Sequence, residues 1–111
     1  MTTGQQAEQA VAAYLTAKEY QIIDKNWRTK LAEIDLVAKK QNKVYFVEVK
    51  YRSNADFGAG LEYITPKKLS RMKFASELWV SANNWQNNYQ LLVASVAGPN
   101  FEDIDIIELE V

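Results

Sequence analysis

The chain has 111 residues, 13 of them basic and 14 acidic, for a formal net charge of −1, with no cysteine and no histidine. That length suits one domain with its own core, and the missing cysteines exclude a disulfide framework or a thiolate metal site. Without histidine, any catalysis falls to carboxylates, lysine, hydroxyls or a metal held by oxygen. No basic segment with an apolar run behind it opens the chain, and no apolar stretch is long enough to cross a bilayer. A cytoplasmic protein without a membrane partner is therefore expected.

The small net charge hides a strong segregation. Residues 1–24 hold one base and three acids, residues 25–73 twelve bases and five acids, and residues 74–111 six acids and no base. A polyanion responds to the local basic patch rather than to the sum.

In chain order, Thr3-Gly4-Gln5-Gln6 matches a capping box, which predicts a first helix with Thr3 as its cap. Val11 and Leu15 mark its apolar stripe, joined by Ala12 and flanked by Ala7 and Tyr14, and Glu8 shares that stripe. Periodicity alone divides evenly between an inward functional glutamate and a first-turn acid complementing the helix dipole. Residues 20–28 read as a short strand ending in Asn26-Trp27-Arg28. Two longer strands follow, residues 33–40 and 43–52, rich in Val, Ile, Tyr and Phe and separated by Gln41-Asn42.

A tight turn at Gln41-Asn42 makes Lys40 face Lys43, and the same register sets Val37 against Phe46, Asp35 against Glu48 and Glu33 against Lys50. Opposed carboxylates about 5 Å apart at Cβ destabilise a sheet. The face they share with Val37, Val44 and Phe46 offers them no evident polar surface. A divalent cation with hard oxygen ligands is the simplest remedy, and Lys50 lies two residues past Glu48 on the same face. Ile34, Leu36, Val47 and Val49 are expected on the opposite face, so both faces should be covered by other elements.

Residues 53–64 read as a loop. Thr65-Pro66 then marks a helix start, with a helix to about Val80 that buries Leu69, Met72 and Trp79 and widens its apolar arc with Phe74 and Leu78. Lys67, Lys68, Arg71 and Lys73 crowd its first turns, against the dipole but suited to phosphate; for any single one of them, a solvated surface charge is the favoured reading. Residues 83–90 form a polar loop whose Trp85 could stack on a base or pack locally. Residues 91–96 suit a buried strand, and residues 104–111 an acidic edge strand. The sum is an α/β domain spanning residues 1–111 around one mixed sheet of about five strands.

Asp35 followed across a hairpin by Glu48-Val49-Lys50, with a glutamate on a preceding helix, resembles the site of PD-(D/E)xK nucleases. Gly4, Glu8, Asn26-Trp27-Arg28, residues 33–38, residues 46–52, Phe57-Gly58 and Lys67-Lys68 resemble, within that superfamily, the family of YraN-like endonucleases. The archaeal Holliday-junction resolvases share Gly4, Glu8, Asp35, Glu48 and Lys50. The likeness is good from Gly4 to about Leu78. It departs at Ala32, where glycine is usual, and at Asn88-Tyr89-Gln90-Leu91, where Arg-Phe-Asp-Val is usual.

The resemblance implies a restriction endonuclease-like fold and Mg²⁺- or Mn²⁺-dependent hydrolysis of DNA, with Glu8, Asp35, Glu48 and Lys50 as the catalytic set. Asp35, Glu48, the Val49 carbonyl and Glu8, directly or through water, would hold the metal. Arg28, Arg52, Lys67, Lys68 and Arg71 would contact the nucleic acid. By analogy with the resolvases it also implies a homodimer, and because the basic set offers no base-edge readout, branched or flapped DNA is the expected substrate. The competing reading is a non-catalytic nucleic-acid-binding module whose acids form ordinary salt bridges, Glu33 or Glu48 with Lys50.

Overall fold

Thr2, one residue earlier than expected, caps the first helix. Its Oγ1 accepts the Gln5 N–H at 3.1 Å and its own N–H donates to Gln5 Oε1 at 2.9 Å. The capping box is thus Thr2 with Gln5, because the Gln5 amide closes the reciprocal pair that Gln6 was expected to close. The computed structural model describes residues 1–52 and 64–110. Within them lie α1 (Thr3–Ala17), β1 (Gln21–Arg28), β2 (Glu33–Lys40), β3 (Lys43–Arg52), α2 (Pro66–Ala82), β4 (Asn88–Ala97) and β5 (Asp103–Leu109).

The strands form one sheet in the order β1-β2-β3-β4-β5. Only β3 and β4 run parallel, joined by the segment that carries α2; the other neighbours are antiparallel. This mixed sheet flanked by two helices is an α/β architecture consistent with a restriction endonuclease-like fold. β5 lies at the edge as expected, though it ends at Leu109.

Each sheet face has its own core. Val11, Ala12 and Leu15 of α1 pack on Leu36, Ala38, Val47, Leu92, Ala94 and Val96. Met72, Ala75 and Trp79 of α2 pack on Val37, Val44, Phe46, Leu91 and Val93. Strand alternation sorts the hairpin between the two cores, with one exception. Ile34 packs with Val37 and Phe46 on the α2 side rather than with Leu36, so β2 leaves strict alternation at Asp35.

Phe74 points outward and is 46% exposed. The α2 arc is completed instead by Ala75 and Ser76, whose hydroxyl is satisfied by the Met72 carbonyl at 2.8 Å. Trp85 packs against the α2 core and donates from Nε1 to the Asn88 carbonyl at 3.0 Å, the local packing role. Residues 53–63, with Phe57-Gly58, lie outside the described residues.

Candidate functional site

The β2–β3 ladder starts with Lys40 opposite Lys43 and continues through Val37 opposite Phe46 to Leu36 opposite Val47. This is the expected register, but it stops one rung short of Asp35 and Glu48. There the Val49 N–H donates to Asp35 Oδ2 at 2.8 Å, so a side chain takes a bond that backbone pairing would otherwise use. Glu33 does not reach Lys50. It faces Arg28 on β1 and pairs with it at 3.4 Å, both side chains well exposed.

The opposite neighbour of Asp35 is irregular too. Lys25 pairs with Leu36 and Trp27 with Ile34, leaving Asn26 abreast of Asp35 without a ladder partner. Asn26 has φ 50°, a left-handed conformation within a strand. Asn tolerates it better than most residues, yet it stores strain of the kind that gathers at functional sites. Asn26 figures in the family likeness but not in the catalytic set, and only the backbone reveals its place beside the acid.

Asp35 is half-buried, and its carboxyl is pushed up to about 7. Burial contributes most, the Glu48 charge next, and Glu8 and Glu33 add to it, while the Val49 N–H opposes them. Among the described residues no cation is bonded to Asp35. Glu48, by contrast, accepts from Lys68 Nζ at 2.7 Å, with the two side chains only about one-fifth exposed, 22% for Lys68 and 18% for Glu48. The salt-bridge reading offers Lys50 to Glu33 or Glu48; instead Arg28 pairs with Glu33, and the docking of α2 brings Lys68 to Glu48.

Glu8 is half-buried on α1 and lines a surface pocket of about 280 Å³ with Gln5, Lys25, Asn26 and Leu36. It feels Asp35 electrostatically, but among the described residues no three acidic side chains are grouped to hold one metal ion. Asp35, Glu48 and the Val49 carbonyl are hard oxygen donors suited to Mg²⁺ or Mn²⁺. The charge crowding that raises Asp35 would be relieved by a cation, so the donor set fits.

Lys50 is half-buried on β3 beside Ser95 of β4, and Arg52 is half-buried beside Ala97. Lys67 is exposed in the first turn of α2. Arg28, Thr29, Leu31, Glu33, Lys68 and Arg71 help line a groove of about 350 Å³ that reaches Glu48. The structure therefore brings Arg28, Lys68 and Arg71 to one groove with an acid of the candidate site. The substituted segment lies elsewhere: Gln90 is paired with Tyr45 and donates from Nε2 to the Leu109 carbonyl at 2.6 Å, tying β4 to β5.

Residues 7–109 match the uncharacterised protein family UPF0102. The chain is 37% identical to a UPF0102 protein of Cytophaga hutchinsonii over 82% of this chain and 80% of that one. It is 40% identical to one of Shewanella denitrificans over 75% and 77%. With a UPF0102 protein of Caldanaerobacter subterraneus it shares 32% identity over 95% of this chain and 79% of the relative. The chain belongs to the UPF0102, or YraN-like, family.

Proposed function

We propose that the protein is a metal-dependent nuclease that hydrolyses phosphodiester bonds, with branched or flapped DNA as its preferred substrate. The observation that carries this reading is Asp35: a half-buried carboxylate crowded by Glu48, Glu8 and Glu33 and bonded to no cation among the described residues. Such a group is a poor structural acid and a good cation ligand.

Asp35, Glu48 and the Val49 carbonyl would hold Mg²⁺ or Mn²⁺, with Glu8 acting through water. The cation, when bound, supplies Lewis-acid polarisation of the phosphate and a nucleophile at neutral pH, which a histidine-free chain needs. Lys50 orients the attacking water or offsets charge developing on the phosphate. Arg28 and Arg71 in the groove, with Lys67 and Arg52 beyond it, grip backbone phosphates. Nothing in this set reads base edges, which favours recognition of nucleic-acid shape over sequence. A second copy of the chain is the protein partner that the resolvase analogy suggests.

The ion pairs Glu48–Lys68 and Arg28–Glu33 favour a second reading, a binding module whose acids are structural. Incubation with branched, flapped, single-stranded and duplex DNA and with RNA, in Mg²⁺, Mn²⁺ or EDTA, separates the two. Metal-dependent cleavage supports the nuclease. Binding that is indifferent to metal, with no cleavage of any substrate, supports the module.

A further inference from the structure

Lys68 occupies an awkward place for a lysine. Thr65 caps α2, its Oγ1 accepting the Lys68 N–H at 3.1 Å, with Pro66 at the first helical position. The Lys68 backbone is thereby pinned in the first turn, where a cation opposes the helix dipole. Lys67 beside it is exposed, whereas Lys68 is drawn inward to Glu48 at 2.7 Å. An ion pair this sheltered is unlike a solvated surface pair, because solvent screens it less and its loss is felt more. Glu48 offsets the unfavourable position of Lys68, and Lys68 holds Glu48 where a metal ligand is required. The groove that reaches Glu48 is lined by Lys68 itself and by Arg71 and Arg28.

We infer that Lys68 is the resident cation of Glu48, yielding the carboxylate to a divalent metal and then turning into the groove to hold a substrate phosphate. The inference rests on the metal-site reading and adds an order to it. Metal affinity includes the loss of the Lys68–Glu48 pair, and Lys68 serves the nucleic acid only once metal has arrived. Linkage makes the coupling reciprocal: a bound phosphate that draws Lys68 away tightens the metal.

Mn²⁺ is titrated calorimetrically into wild type, Lys68→Met and Lys68→Arg without nucleic acid. Branched-DNA affinity of wild type, Lys68→Met and Lys67→Met is then measured in EDTA and in Ca²⁺. Lys68→Met keeps the aliphatic stem and should bind Mn²⁺ about tenfold more tightly, a gain of about 1.4 kcal/mol. Lys68→Arg grips a carboxylate through two donors and should bind Mn²⁺ a few-fold more weakly. Because its expected sign is opposite, it keeps the test alive should Lys68→Met fold poorly. In DNA binding, Lys68→Met should lose affinity in Ca²⁺ and little in EDTA, while Lys67→Met loses the same in both. Unchanged Mn²⁺ affinity in both Lys68 variants, with wild type still binding metal, overturns the inference and leaves the nuclease reading standing. Equal loss of DNA affinity by Lys68→Met with and without Ca²⁺ overturns the handover and makes Lys68 a standing phosphate clamp. Failure of every protein to bind Mn²⁺ overturns both readings.

Discussion

The two ends of the β2–β3 hairpin are built on opposite principles. At the tip the register is regular, and like charges that should repel are accommodated in place. Lys40 and Lys43 face each other, yet Lys40 lies over the Tyr20 ring and Lys43 over the Tyr45 ring. Lys40 Nζ also donates to the Lys18 carbonyl at 3.0 Å. At the other end the ladder stops, Ile34 changes face, Asn26 turns left-handed and Asp35 is left among acids. Regular pairing builds the core at one end; at the other, broken pairing leaves the Asp35 side chain to take the Val49 N–H.

Asp35→Asn should deepen that contrast most. It should abolish the proposed metal-dependent cleavage and the rise in melting temperature that Mg²⁺ or Mn²⁺ is expected to give the wild type. The metal-free protein should hold its stability or gain, because the amide oxygen can still accept the Val49 N–H. The Asp35 carboxyl is raised to about 7 in the fold from near 4 when unfolded. The unfolded chain therefore ionises first as pH rises, and this group lowers stability progressively between about pH 4 and 7. Asp35→Asn should thus match wild type near pH 4 and exceed it by a few kcal/mol at most near pH 8. Melts in EDTA across that range check it. A mutant less stable at pH 8, beside a wild type indifferent to metal, would show a structural acid.

Lys50→Ala should lower turnover by orders of magnitude while metal and DNA binding persist, since its proposed work lies in the transition state. Single-turnover rates beside binding isotherms decide this. A parallel loss of binding and rate would make it a substrate clamp.

Asn26 tests whether the irregular end depends on its strained neighbour. A β-branched residue is excluded from φ 50°, so Asn26→Val should cost about 1–3 kcal/mol and shrink the metal-induced rise in melting temperature. Asn26→Gly accepts that φ freely and should preserve both. If valine and glycine behaved alike in denaturant melts, the left-handed conformation would have no part in placing Asp35.

Replacing Lys67 and Arg71 together by Ala should flatten the slope of log DNA affinity against log salt by about two. An unchanged slope would confine those cations to solvation. The smallest effect belongs to the tip. Lys43→Thr removes both the like-charge opposition and one cation–ring contact, which nearly cancel, so urea melts should shift by less than about 0.5 kcal/mol.

Much of this molecule was legible because the deciding forces are local. Gln41-Asn42 between two β-rich runs determined the hairpin and its register as far as Leu36 and Val47. Thr65-Pro66 determined where α2 begins, and the apolar runs sorted correctly into strands. The positions of Asp35, Glu48 and Lys50 were readable as a pattern. What they touch was not. Thr2 displaced Thr3 as cap because Gln5 closed the reciprocal bond, a choice between two equally plausible threonines. Phe74 turned outward because α2 meets the sheet through Met72, Ala75 and Trp79, an angle that helical periodicity leaves open. Asp24, 55 positions before Trp79 in the chain, accepts its indole N–H at 3.1 Å. Lys68, rather than Lys50, became the partner of Glu48 by the same docking. Residues twenty or more apart meet only when two elements pack, and the free energy of that packing belongs to the buried apolar faces. The tertiary structure alone therefore decided which cation each acid found, and left Asp35 bonded to none among the described residues.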